Sequence, residues 1–271
     1  METFFIIADI HGFFTPTIEA LKEKGFEENN QNHHVILCGD AFDRGREPLQ
    51  VLNFLQKLQA QNRLVYIRGN HEDLLERCYR NIMIEGLPNG SHDYSNGTIQ
   101  TIADICQDAT ITAFLNSASP MPISLRFEMR KKLSTMLGFI NDNCINYYEL
   151  GKMVFVHGWV PICVYLNSDG IPRDWESETY DWESARWANG ADCWAQGHRL
   201  KDRIIVCGHW HTSYANSKFK KLGPEFPSKK DKEELKKMFA PFCGEGIIML
   251  DACTAYSGIV NVMRLDLEEE E

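Results

Sequence analysis

Five short apolar runs in this chain each end on side chains able to hold a metal ion, and that pairing limits the possible folds sharply. The runs cover residues 4–8, 35–38, 64–67, 153–156 and 203–207. Segments so short and so nearly continuous in apolar character read as strands buried on both faces. They lead into Asp9-Ile10-His11-Gly12, Gly39-Asp40-Ala41-Phe42-Asp43-Arg44-Gly45, Arg68-Gly69-Asn70-His71-Glu72, His157-Gly158 and Gly208-His209-Trp210-His211. Loops beyond the carboxyl ends of such strands are where open α/β sheets place their sites. Helical patterns alternate with the first three strands. Thr15-Pro16 opens one helix and Gly25 stands just past its end; Glu47-Pro48 opens a second, to about residue 60. A third spans residues 71–85, with Leu74, Leu75, Cys78 and Ile82 at helical spacing. This β-α-β-α-β start implies right-handed crossovers in one sheet. Two later runs, 247–250 and 259–265, read as further strands, the last with one wetter face.

The expected organisation is a single α/β domain over residues 1–271 with two insertions. Residues 86–150 carry no catalytic motif: a Gly/Asn/Ser-rich loop at 86–97 precedes helical patterns, clearest at 124–139, as in a cap. Residues 212–244 hold a Lys-rich stretch that reads as a variable insertion with a solvated helix. Composition is that of a globular protein, 44% hydrophobic and 24% charged. Net charge is −10, from 38 acids against 28 bases, so long nucleic acid is not an expected partner. Nine scattered cysteines without a CxxC pair argue against a disulfide framework or a zinc knuckle. The N-terminus has no basic region and only a few apolar residues, so neither a signal peptide nor a membrane span is expected there. A reducing, cytoplasmic setting follows.

The motifs divide into two metal sets. Asp9 and His11, two apart at a strand end, leave the backbone on one side and can grip one ion together. Asp40, turned sharply by Gly39, is positioned to bridge two ions, which in hydrolytic pairs lie ~3.5–4 Å apart. Asn70, His157 and His209 complete the second set. His211 is either a further ligand of the first ion or a substrate contact. Mixed Asp, Asn and His donors without thiolate suit two divalent ions, manganese first, with iron, zinc or magnesium as alternatives.

Together, Asp-x-His-Gly, Gly-Asp-x-x-Asp-Arg-Gly, Arg-Gly-Asn-His-Glu and the two histidine motifs resemble the calcineurin-like metallophosphoesterase superfamily. The likeness is closest to its Ser/Thr protein phosphatase branch, of bacterial and phage type. It extends to the closing Leu250-Asp251-Ala252-Cys253 but not to the two insertions. The resemblance implies two mixed β-sheets packed as a sandwich flanked by helices, with a dinuclear centre at one edge. It also implies that His71 protonates the leaving group, Asp43 holds its ring, and Arg44 binds phosphate with a bidentate fork. Arg186 is the candidate second phosphate arginine. One departure is Trp210-His211, where that branch usually shows Thr-Pro; Gly-His-x-His is more usual among phosphodiesterases of the superfamily.

The expected activity is hydrolysis of a phosphomonoester, in a phosphoprotein or small metabolite, by hydroxide bridging two metals. A phosphodiesterase or dinucleoside polyphosphate hydrolase is the alternative, prompted by His211 and the insertions. A non-catalytic metal-bound scaffold is a third reading, weakened by the joint presence of His71, Asp43 and Arg44.

Overall fold

A computed structural model describes residues 1–88, 90–162 and 170–267; Asn89 of the expected loop, Cys163 and the acidic tail 268–271 lie outside them. The strands form two five-stranded sheets. In the first, β1 (Glu2–Ile7), β2 (His33–Cys38), β3 (Leu64–Ile67) and β4 (Cys144–Ile145) run parallel. In the second, β5 (Tyr148–Leu150) is an antiparallel edge on β6 (Met153–Phe155), which runs parallel to β7 (Ile204–Cys207). Beyond β7 come β9 (Ile247–Met249), parallel to it, and the antiparallel edge strand β8 (Phe242–Gly244). The last strand, β10 (Met263–Leu267), returns to the first sheet and lies antiparallel to β1.

The two-residue period of the strands builds two cores at once. Phe4, Ile6 and Ala8 point between the sheets and meet Phe155, Val206 and Leu250. Phe5 and Ile7 point the other way, into an apolar cluster with Leu21, Val51 and Leu55. Each such buried side chain contributes roughly 1.5–3 kcal/mol, and a one-residue slip would send every one of them to the wrong face. Register is therefore tightly held, and the residues just past each strand inherit fixed positions.

Three helices cover the outer face of the first sheet: α1 (Phe14–Glu23), α2 (Pro48–Ala60) and α3 (Asn70–Glu85). Pro48 opens α2 at a position where no backbone donor is required. The expected cap region holds α4 (Ser91–Ser95), α5 (Thr98–Cys106), α6 (Ala109–Leu115) and α7 (Ile123–Asn143). Its Ile102, Ile111 and Met136 are buried in the same cluster as Phe5 and Ile7, so these helices extend the core rather than sit above it. Over the second sheet lie α8 (Trp182–Arg186), α9 (Gly190–Ala195) and α10 (Thr212–Lys218), which contribute Trp182, Ala185, Ala191 and Ala215 to its outer core. The Lys-rich stretch forms α11 (Lys232–Phe239); it buries Leu235, Met238 and Phe239 beside Ala252 and leaves its lysines exposed. A single turn, α12 (Thr254–Ser257), follows the closing motif. All eight described cysteines are free. No helix among the described residues is long and apolar enough to cross a membrane.

The strand reading differs from the structure in two respects. The short strands β4, β5 and β8 are additional, and pairing of the last strand begins at Met263 rather than at residue 259. Val260 and Val262 are buried in a core without joining a ladder, while Asn261 donates to the carbonyls of Phe239 and Leu250.

Candidate active site

Buried strands deliver their polar ends to one point, and the backbone there is strained. Asp9, His11, Asp40, Asp43, Arg44, His209 and Cys253 all have positive φ, between 45° and 72°. Among the described residues these are seven of the eleven non-glycine residues in that region, so the strain is concentrated at one place. Left-handed backbone costs a residue with a Cβ roughly 1–3 kcal/mol and persists where surrounding contacts over-determine it. Two glycines make room: a Cβ on Gly39 would strike the His157 ring and the backbone of Gly69, and one on Gly208 would overlap the Asp9 carboxylate.

Glu72 is one of the residues that over-determine the site. It is fully buried, and its carboxylate accepts from the amides of Asp40 (3.0 Å), Ala41 (2.9 Å) and Gly69 (2.7 Å) and from the Tyr66 hydroxyl (2.8 Å). This ties the loop carrying Asp40 to the start of α3. Its place three residues after Gly69 lets the carboxylate cap the Gly69 amide, the half of a capping box that needs no side chain at the first position. Glu72→Gln turns one acceptor oxygen into a donor facing backbone N–H groups. The variant is expected to lose about 2–4 kcal/mol of stability, read as a lower urea midpoint at unchanged slope. A midpoint within error of the parent would show that Glu72 does not brace this loop.

Two groups of side chains here could hold metal ions, His11 with Asp40 and His71, and Asp40 with His157 and His209. Asp40 belongs to both. Its Oδ2 lies 3.7 Å from His11 Nε2, and its Oδ1 lies 3.4 Å from His157 Nε2. The tautomers follow from the far side of each ring, because a carbonyl can only accept. His11 Nδ1 donates to the Phe42 carbonyl (2.9 Å), His157 Nδ1 to that of Cys38 (2.8 Å), and His209 Nε2 to that of Trp187 (3.1 Å). In a neutral ring the opposite nitrogen then carries a bare lone pair, the arrangement that orients metal-binding histidines. Asn70 Oδ1 stands 2.8 Å from His157 Nε2, the ring nitrogen that also lies 3.4 Å from Asp40 Oδ1.

Charge at the site has the same sense. Burial alone would raise the Asp40 carboxyl, but His157, His71, His11 and His209 hold it well below the usual carboxylate range. Burial pushes the His209 imidazole down to about 3, with His157 adding to the effect, and lowers His11, with Arg44 and His71 adding. Both rings are thus neutral at pH 7, as ligands must be. Burial, then Asp251 and Asp40, raises Asp9 far above its ordinary value, and burial lifts Asp251 to about 7. These carboxylates crowd one small space with Arg44, and divalent cations would relieve their repulsion. Asp9 stands beside the two groups, with both its oxygens accepting the His209 amide (3.0 and 2.9 Å).

His71 faces Asp43 across a 2.8 Å contact from Nδ1 to Oδ2, while Arg44 Nη2 lies 3.3 Å from its Nε2. Burial opposes protonation of His71, but Asp40 and Asp43 outweigh it and raise the ring above its ordinary value. A residue absent from the sequence reading completes this pair. Thr98, fully buried at the start of α5, donates to the same Asp43 oxygen at 2.7 Å. Thr101, one turn on, accepts the Asp43 amide at 3.0 Å. Nothing in the local pattern around Thr98 signals this, because the link is 55 residues long. Thr98→Val keeps shape and removes the donor, so kcat should fall about tenfold, the worth of a hydrogen bond to a charged group. Thr98→Ser should restore it, and a Thr98→Val enzyme with parental kcat would remove Thr98 from the site.

Two candidates fall elsewhere. The structure brings His211 into neither metal group among the described residues. Its Nδ1 caps α10 by accepting the Tyr214 amide (3.3 Å) and sits 2.9 Å from Ser213 Oγ; its Nε2 lies 3.3 Å from a Glu225 carboxylate oxygen. With both nitrogens engaged, the ring lines the cleft outside both groups. Arg186 is not on the cleft wall. Its guanidinium donates to Asp73 (2.7 Å) and Asn146 (2.9 Å), on a separate hollow of about 900 Å³ that Arg68 and Glu178 also line. The cleft over the metal groups, about 240 Å³, is instead lined by Arg44, Asn96, Trp187, Trp210, Asp251 and Cys253 with Asp40, Asn70 and the rings of His71, His209 and His211.

A sandwich of mixed sheets with carboxylate, amide and imidazole donors at the strand ends defines a metallohydrolase class of protein. The chain belongs to the calcineurin-like phosphoesterases, whose family model matches residues 2–222. It is 38% identical over 213 residues to a bis(5′-nucleosyl)-tetraphosphatase PrpE (asymmetrical) of Anoxybacillus flavithermus, across 75% of this chain and 77% of that one. A protein of the same description from Halalkalibacterium halodurans is 24% identical over 192 residues, across 66% and 75% of the two chains. Among solved structures, a cold-active protein tyrosine phosphatase superposes with a TM-score of 0.50 at 14% identity, over 98% of this chain and 74% of that one. That last likeness is one of fold alone.

Proposed function

We propose that this metallophosphoesterase hydrolyses dinucleoside polyphosphates, cleaving the phosphate chain unequally with two divalent ions, manganese by preference. The observation that carries the substrate class is the 38% identity, over three quarters of both chains, to a protein described as an asymmetrical tetraphosphatase. It moves the weight from the phosphomonoester expected first to the dinucleoside alternative. Bound at the two groups, the ions would supply hydroxide near neutral pH and neutralise charge on the phosphoryl oxygens. Asp40 would be shared between them, Asp9 and His11 would hold one, and Asn70, His157 and His209 would hold the other. Arg44 grips the phosphate under attack. His71, steadied by Asp43, delivers a proton to the departing oxygen.

The test is turnover with Mn²⁺ on four substrates: diadenosine tetraphosphate, an aryl monoester, an aryl diester and a phosphopeptide. The tetraphosphate is expected to give the highest kcat/KM, with nucleoside mono- and triphosphate (AMP and ATP) in equal amounts. Faster turnover of the phosphopeptide or the monoester would overturn the substrate class and return the monoester reading.

A further inference from the structure

The tryptophans of this chain divide into two sets. Of the six, Trp159, Trp175 and Trp182 are buried under the second sheet, and Trp194 is half-buried with its indole N–H donated to the Glu245 carbonyl. Trp187 and Trp210 are 41% and 37% exposed, and both line the cleft above the metal groups. Indole surface left in water calls for an explanation when it borders a polar site.

Their positions are fixed from beneath. Trp187 follows α8, and its carbonyl takes the His209 Nε2 proton at 3.1 Å; Trp210 is the next residue after His209. The rings stand edge-on to the His209 imidazole, with centroids at 5.8 Å for Trp187 and 5.9 Å for Trp210. Trp210 is backed by the His211 ring, stacked at 6.1 Å and 22°, which the α10 cap holds still. His211 thereby acts as a prop beneath an indole. Trp187 has His92 of the helical insertion 6.5 Å away.

Resting on the dinucleoside reading above, we propose that Trp187 and Trp210 form a stacking station for a nucleobase of the substrate. The size of the cleft selects that occupant. At about 240 Å³ it falls below the ~300–1,000 Å³ of pockets that enclose a whole small ligand. Its floor of Arg44, Asn70 and the histidines takes phosphate groups, so the flat end of a nucleotide must lie at the rim. The rim there is indole, and any base can stack on it because every base presents a π-face. Asn96 of the insertion adds an amide to the same rim.

The test pairs a binding titration with a ratio of rates. With Mn²⁺ present, a methylene-bridged diadenosine tetraphosphate that resists hydrolysis should quench tryptophan emission, and inorganic tripolyphosphate should not. Trp187→Leu and Trp210→Leu should each weaken binding of that analogue by roughly tenfold, and Trp→Phe at either position should recover most of it. The ratio of kcat/KM for diadenosine tetraphosphate to that for tripolyphosphate should fall by a similar factor. Unchanged affinity in both leucine variants overturns the stacking station, as does equal quenching by a phosphotyrosine peptide. A parent enzyme that binds the analogue through these rings yet fails to cleave the tetraphosphate would refute the proposed activity and leave the station standing.

Discussion

Asp40→Asn is expected to strip both ions from the protein and to abolish turnover. Asp40 is the one side chain common to the two metal groups. Its oxygens lie within 3.4–3.9 Å of His157, His11 and His71 nitrogens, and those rings keep it ionised into acid solution. An amide in its place offers an oxygen but no charge, and it leaves Asp9 as the one carboxylate in the two proposed ligand sets. Altering a residue that merely supports a ligand costs roughly 10–100-fold in metal affinity, so losing a shared carboxylate should cost each ion more than ~100-fold. The fold should survive, because the Asn carbonyl can keep the bond from the His71 amide that Asp40 Oδ1 now accepts at 2.9 Å. Metal content by elemental analysis, beside activity across a Mn²⁺ titration, reads the result. Two retained ions with near-parental turnover would mean that the centre lies elsewhere.

How much of this was legible in the sequence depends on how local each signal was. Strands buried on both faces announce themselves as apolar runs, and the polar residue ending each run needs no distant information to be placed; Asp9, Asp40, Asn70, His157 and His209 were visible for that reason. Strands of two or three residues, such as β4 and β8, are too short to show a period. The expected strand at 259–265 started early because Val260 and Val262 fill a core as well as any ladder residue would. Arg186 and His211 were read from their neighbours in sequence, but distant partners decide their roles. Asp73, 113 residues away, holds the arginine, and Glu225 faces the free side of the histidine. Exposure is equally hidden: nothing in composition separates Trp187 from the buried Trp182 five residues earlier. The helical insertion showed no motif, yet through Thr98 it touches the Asp43 carboxylate.

His71→Asn should lower kcat by roughly 10²–10⁴-fold, the usual contribution of a positioned acid, while metal content stays near that of the parent. The competing role is coordination, since the His71 ring also falls in a group with His11 and Asp40. Geometry separates the two. His71 Nδ1 is committed to Asp43 at 2.8 Å, and its Nε2 lies 3.9 Å from Asp40, farther than His157 Nε2 (3.4 Å) and His11 Nε2 (3.7 Å). Asp40 and Asp43 raise its affinity for a proton, whereas burial lowers that of His11 and His209. A ring that holds its proton better than its neighbours is the one suited to give a proton to a leaving oxygen. The loss should therefore depend on what leaves. An alkyl phosphate, whose alkoxide cannot depart unprotonated, should suffer most; p-nitrophenyl phosphate, whose phenolate is already stable, should suffer least. The same loss for both esters, accompanied by a missing metal ion, would make His71 a ligand and not the acid.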